Sequence, residues 1–319
     1  MSEQTNGIPW ERELLRDYMF TLHKEQVKDR RYRIALKILR AVALILMIVA
    51  VLSLGAGSSG MPWDIGDAQG THTAYINIRG EIAVGTVADA DHLIPSIQAA
   101  FENDNAKAVV LRIDSPGGSP VQSGRVYEEI RAQKALHPDK KVYAVIGDIG
   151  ASGGYYIAAA ADEIYADQAS LVGSIGVISS GFGFTGLMEK LGIERRAITA
   201  GDNKALLDPF SPLNKQTREF WESVLAKTHQ QFIQRVKEGR GDRLKNDPRI
   251  FSGLIWNGEQ ALEIGLIDGL GSMNSLARDV IGETNLVDYS PSRDLLQKLT
   301  QRAKVAVSAF TQEASIRVY

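Results

Sequence analysis

Cysteine is absent from the 319 residues of this chain. Thiol nucleophiles, disulfide staples and thiolate metal sites go with it. Histidine is scarce: His23, His72, His92, His137 and His229 are too scattered for a His-Glu-x-x-His pair or a close pair on one helix face. A zinc hydrolase is therefore not expected, and neither is any other metal site or cofactor. A surplus of charge of one sign is missing too, with 36 Lys and Arg against 38 Asp and Glu and a formal net charge of -2. Nothing in that balance favours nucleic acid as a partner. No sequence period of roughly 20 to 50 residues recurs, which excludes a solenoid. What remains is 44% hydrophobic, enough for a sizeable core in one large or two ordinary domains.

Long apolar runs are also rare, and the one present is informative. Ala41 to Trp63 carries no charge, and Ala41 to Leu54 is apolar except for Ser53. A spanning helix needs about 20 apolar residues. Ile34, Leu36, Ile38 and Leu39 extend the run backward while Lys37 and Arg40 snorkel to the headgroups. Seven basic residues from Lys24 to Arg40 precede it, whereas Asp64 and Asp67 follow, an asymmetry that keeps the N-terminus in the cytoplasm and exports the rest. A cleavable signal peptide is the rival, with small residues at Gly55-Ala56-Gly57, but so long a charged leader does not suit it. The expected organisation is a cytoplasmic segment 1–40, an anchor in membrane lipid at 41–60, a linker 61–72, a folded domain 73–286 and a tail 287–319, with Gly55 to Gly70 rich in Gly and Ser.

Within that domain, strand-length apolar runs alternate with helical stretches. Strands are expected at Thr73–Ile78, Lys107–Ile113, Lys141–Ile146 and Glu163–Ala166, with helices near Asp89–Asn103, Gln122–Leu136 and Ser152–Ala161. Repeated βαβ units make an α/β fold with a largely parallel sheet and right-handed crossovers. Further on, Ser211-Pro212 reads as an N-cap and first helical position. Phe220, Val224, Leu225, Phe232, Ile233 and Val236 then recur at helical spacing, a stripe for the core or a subunit interface.

Two Gly-rich turns follow buried-type strands, at the carboxyl ends where parallel sheets place their sites. They are Asp114-Ser115-Pro116-Gly117-Gly118-Ser119 and the stretch Gly147 to Tyr156. Ser152 sits among small residues in the second, so a substrate carbonyl can come close and the amide after it can face a developing oxyanion. Gly117 and Gly118 offer a second amide; a phosphate site or a plain tight turn remains open from this pattern alone. A nucleophilic serine needs a base. Gly150-x-Ser152-x-Gly154 matches a nucleophile elbow, with Asp208 and His229 following in the right order. His229 falls inside the long helix, however, and too few strands follow Ser152 for that fold. A lysine base must lose its proton near neutral pH, a shift of about 4 to 5 kcal/mol that demands a strongly desolvating pocket. Lys204, followed by Ala205, Leu206 and Leu207, is permissive of this.

Together these residues resemble the signal peptide peptidase A family of bacterial serine peptidases in its short, single-domain form. The likeness runs from about Thr73 to Ile281. It rests on Asp-Ser-Pro-Gly-Gly at 114–118, Ala-Ser-Gly-Gly-Tyr-Tyr-Ile-Ala at 151–158 and Val-Gly-Ser-Ile-Gly-Val at 172–177. Gly-x-x-Lys at 201–204 and Ser-Gly-x-x-Trp-x-Gly-x-Gln-Ala at 252–261 complete it. The resemblance implies Ser152 as nucleophile, Lys204 as general base and then acid, Ser174 orienting the lysine, and Gly118 and Gly153 as oxyanion-hole donors. It also implies a Clp protease/crotonase-like fold and homo-oligomeric rings in which serine and lysine come from neighbouring protomers. The substrates implied are remnant signal peptides and other apolar peptides. Leu254 stands where the family has Arg, and Gly150 where Ala is frequent; neither belongs to the dyad. An inactive membrane-bound scaffold of the same fold and a crotonase-type acyl-CoA enzyme are the alternatives, the latter at odds with an exported domain.

Overall fold

Apolar β-branched runs bounded by polar turns become strands, and the longer amphipathic stretches between them become helices. A computed structural model describes residues 70–291. The chain order is β1 (His72–Arg79), α1 (Ala90–Glu102), β2 (Ala106–Ser115), α2 (Pro120–Leu136), β3 (Lys141–Ala151), α3 (Gly153–Ala158), β4 (Glu163–Ala166) and β5 (Leu171–Gly173). Then come α4 (Thr185–Lys190), α5 (Lys215–Arg240), β6 (Ile255–Trp256), α6 (Gly258–Glu263), β7 (Gly269–Leu270), α7 (Met273–Ser275) and β8 (Leu286–Asp288). The expected anchor at 41–60 lies outside the described residues. Among those described, no helix is long and apolar enough to cross a membrane.

The strands form one mixed sheet in the order β6-β5-β3-β2-β1-β8, with β4 beside β3 and β7 beside β4. All pairs are parallel except β5 with β6. Register aligns Ile76 with Leu111, Leu111 with Ala144 and Ala144 with Ile164. All four are fully buried on one face, under α1, α2 and α3. Each large aliphatic side chain buried in this way contributes about 1.5–3 kcal/mol. On the other face Ala108, Val110, Tyr143 and Val145 pack against Leu276 and Ile281. The repeated βαβ units and parallel sheet expected from the sequence are present.

Caps fix where helices begin. Asp89 accepts from the His92 amide at α1, and Ser119 from the Gln122 amide at α2, where Pro120 takes the first turn. Two of the boundaries that differ from expectation have a plain cause. The strand expected to stop at Ile146 continues to Ala151 because, past β4, it acquires β5 as a new partner, pairing Ile149 with Leu171 and Gly150 with Val172. The long helix starts at Lys215 rather than after Ser211: Asn214 is its cap, accepting from Thr217 N, whereas the Ser211 hydroxyl donates to Asp208.

The end of α5 is tied to the sheet by a buried guanidinium. Arg240, 1% exposed, donates to both Asp268 oxygens at 2.6 and 3.0 Å and to the Gly265 carbonyl at 3.0 Å. Burial pushes the Asp268 carboxyl up, but the bond and charge of Arg240, the Ile164 amide and the charge of Arg243 outweigh it and hold it below the usual carboxylate range.

Candidate active site

β2 and β3 end side by side and deliver the two Gly-rich turns to one place. A register irregularity after Ile113 sets Ser115 opposite Gly150. The buried Ser115 hydroxyl donates to Gly80 O at 2.6 Å and accepts from Gly117 N at 3.1 Å, pinning the start of the first turn. A short bridge holds its other side: Ile82 N donates to Gly117 O and Ser119 N to Ile82 O. Gly117 and Gly118 have φ of 104° and 149°, where side chains are strained. Space forbids them as well. A Cβ at Gly117 would lie 2.6 Å from Ser152 Cβ, and one at Gly118 would strike the Ile82 carbonyl.

Ser152 stands between β3 and α3 at φ 50° and ψ -120°, a conformation that costs a non-glycine residue about 1–3 kcal/mol. It is held there by its own backbone: the amide donates to Gly173 O at 2.8 Å and the carbonyl accepts from Tyr156 N at 2.9 Å. The turn must be made of glycine beyond it. A Cβ on Gly154 would meet Ser115 O at 2.9 Å, and one on Gly153 would collide with the Ser123 hydroxyl oxygen. Gly150 is fixed similarly, since a methyl there would press on the Ile146 side chain at 2.8 Å.

The amides of Gly118 and Gly153 donate no hydrogen bond among the described residues. They are close, because a Cβ built on Gly153 would lie 3.2 Å from Gly118 N. Two unengaged donors beside a hydroxyl in a strained turn can stabilise negative charge on an oxygen brought between them. Ser174 also sits in the left-handed region, at φ 49°, with its amide on Leu254 O and its carbonyl on Gly176 N. Ser152, Ser174, Gly118 and Gly153 all line one cavity of about 1110 Å³.

Lys204 does not line it. It occupies an exposed turn, 201–207, and its ammonium makes no hydrogen bond or ion pair among the described residues. The described residues of one copy therefore do not build the niche a lysine base requires. The elbow alternative is not assembled either: His229 Nε2 donates to Ile175 O at 3.0 Å, and Asp208 is engaged with Ser211 and Arg195. Sequence reasoning missed Ile82, Ser115 and Ser123, which shape both turns. Ser115 lies inside the Asp-Ser-Pro-Gly-Gly motif and was within reach; Ile82 and Ser123 carry no local signal.

The model of peptidase family S49 matches residues 134–286, a span that includes Ser152, Ser174 and Lys204. A candidate protease of Synechocystis sp. is 33% identical over 212 residues, covering 66% of this chain and 74% of the relative. The chain belongs to peptidase family S49, the signal peptide peptidase A family. Other members of this set are longer. "Serine protease SPPA, chloroplastic" of Arabidopsis thaliana is 34% identical over 199 residues, 62% of this chain but 29% of that protein. A "Na(+)/H(+) antiporter NhaA" of Brucella abortus is 47% identical over 201 residues, 63% of this chain and 27% of the antiporter. The stretch shared with the S49 chain is thus a minor part of each of those two relatives.

Proposed function

We propose that the chain is a membrane-anchored serine endopeptidase using a Ser152/Lys204 dyad, with cleaved signal peptides and other apolar, unfolded peptides as substrates. The observation that carries this reading is the strained Ser152 turn with the unengaged amides of Gly118 and Gly153 lying close together next to it. The Ser152 hydroxyl adds to the peptide carbonyl as Lys204 takes its proton, and the two amides hold the oxyanion. Collapse expels the amine, which takes the proton from Lys204, and leaves an ester on Ser152. Lys204 then deprotonates a water that hydrolyses the ester. Ser174 orients the lysine.

Because one copy keeps Lys204 away from its own Ser152 cavity, the lysine comes from a neighbouring protomer in a ring, on a Clp protease/crotonase-like fold. The exposure of the whole segment that carries Lys204 supports this. The basic flank before residue 41 and the acidic one after 63 support an anchor in the cytoplasmic membrane with the catalytic domain outside it. A relative named as an antiporter is in keeping with a membrane setting. The test is turnover of an unfolded apolar peptide by the full chain. Ser152→Ala is expected to lower it by about 10⁴-fold or more, and turnover equal to the unsubstituted chain would overturn the reading.

A further inference from the structure

Three serines bracket the first Gly-rich turn, and two of them are fully employed. Ser115 bonds Gly80 O and Gly117 N, and Ser119 caps α2 by accepting from the Gln122 amide. The third, Ser123, stands in the first turn of α2 and is fully buried, yet its hydroxyl has no hydrogen-bond partner among the described residues. A serine inside a helix commonly turns its hydroxyl back onto the carbonyl four residues before it. That carbonyl, Ser119 O, accepts the Ser123 amide at 3.1 Å, and the hydroxyl is not bonded to it.

Burying a hydroxyl without a partner is costly, and alanine at the same helical position would avoid the cost while forming helix more readily. The fold alone therefore gives no reason for the oxygen. Its position does. The Ser123 oxygen occupies the space that a Cβ on Gly153 would fill, and that same point is 3.2 Å from Gly118 N. Ser123 Oγ and Gly118 N thus converge on one side of Gly153. Gly118, Ser152 and Gly153 line the cavity whereas Ser123 does not, so the hydroxyl backs the two unengaged amides from the protein side and is shielded from solvent.

We infer that Ser123 is a positioning residue of the oxyanion site, a role that rests on Ser152 acting as the nucleophile. Its O–H is free to rotate, and it turns toward the negative charge that builds between the Gly118 and Gly153 amides as Ser152 attacks. It touches no substrate and gives up no proton; its dipole supports the amides that do the holding. In the free protein the O–H has nothing to point at, and in the tetrahedral intermediate it has. An interaction that grows only as the transition state forms raises kcat, and it is effective here because no water screens it.

The test compares the full chain with its Ser123→Ala variant in detergent. Thermal unfolding and turnover of an unfolded apolar peptide are measured, together with inhibition by a peptide aldehyde and by the matching peptide alcohol. Ser152 adds to the aldehyde carbon and the aldehyde oxygen takes the oxyanion position, whereas the alcohol binds without forming that charge. Ser123→Ala is expected to keep or raise Tm and to lower kcat/KM roughly ten- to hundredfold. Inhibition by the aldehyde should weaken by a similar factor and inhibition by the alcohol by no more than about twofold. A lower Tm would mean that the hydroxyl serves the fold. Equal turnover would mean that it has no part in the reaction, and equal weakening of aldehyde and alcohol that it shapes the cavity rather than the charge site. Each of these outcomes overturns the role of Ser123 and leaves the peptidase reading standing. If the unsubstituted chain neither cleaves the peptide nor is labelled at Ser152 by a fluorophosphonate, the peptidase reading falls and the role of Ser123 with it.

Discussion

His72 to Ile175 and Gly176 to Gln231 are built on opposite terms. In the first stretch alternate strand residues are fully buried, and Ser152 is held by neighbours from the Gly117 turn, α3 and β5. In the second, not one residue is buried. Apolar side chains are plentiful there all the same: Ile178 is 85% exposed, Phe182 82% and Ile198 fully so. Three of its rings, Phe182, Phe184 and Phe210, lie in a row of ring contacts, with Arg195 over the last. A stretch with that much uncovered apolar surface looks for its cover outside the described residues. Ser152 is thus organised by the fold, while Lys204 sits on a stretch that the described residues of one copy leave uncovered.

The sharpest way to break that contrast is to separate the two residues genetically. Ser152→Ala and Lys204→Ala are each expected to lose about 10⁴-fold or more of peptide turnover. If the lysine serves a neighbour, mixing the two inactive proteins in equal amounts and allowing exchange restores about a quarter of the original activity, because one site in four pairs an intact serine with an intact lysine. A mixture that exchanges subunits yet stays inactive would place the lysine within its own chain.

Next in size is a break inside the well-packed part. Asp268→Ala strands the buried Arg240 guanidinium without its carboxylate, at an expected cost of about 3–5 kcal/mol in denaturant unfolding. The same pair sets an acid limit. A carboxyl held below its usual value stabilises the fold fully above its unfolded pKa, about 3.9, and loses that contribution as pH falls through the lower folded value. Asp89 has the same sign: burial pushes it up, but the amides of His92 and Gly85 and the His92 ring outweigh this and hold it down. Unfolding measured from pH 6 to pH 2 should therefore show stability draining below about pH 4, with a shallower slope in Asp268→Ala.

The sequence was readable where chemistry and local geometry coincide. The βαβ rhythm, the parallel sheet and the meeting of the Gly117-Gly118 turn with Ser152 and Gly153 follow from strand-length apolar runs and from glycine-rich turns, whereas Ser174 was named only by the family resemblance. What was not readable depends on partners distant in sequence. The extension of β3 to Ala151 is set by β5, some twenty residues later, and the Gly118 turn by Ile82, thirty-odd residues earlier. The stripe on α5 left two destinations open, and the structure divides it: Phe232 and Val236 enter the core while Phe220 is 55% exposed. Periodicity alone cannot mark where along one helix burial stops.

Helix caps give a smaller effect with the same contrast. Asp89→Ala removes three hydrogen bonds at a buried α1 terminus and should cost about 1–2 kcal/mol of global stability. Asn214→Ala removes a comparable cap bond, at 2.7 Å, but from a helix end with nothing buried around it. Fraying there is local, so the global unfolding midpoint should move much less, while amide exchange in the first turns of α5 accelerates.

The smallest effect on the isolated fold carries the most weight for the assembly. Phe182→Ser exchanges an 82% exposed ring for a polar group, and the unfolding free energy of the single chain should stay within about 0.5 kcal/mol. If a second copy covers this ring, the same substitution removes buried apolar area between protomers. Sedimentation should then show dissociation at concentrations where the unsubstituted protein is associated, and turnover should fall with it, although neither Ser152 nor Lys204 is altered. Unchanged assembly with unchanged turnover would mean that this apolar surface is covered by something other than a copy of the chain, and that Lys204 reaches Ser152 without it.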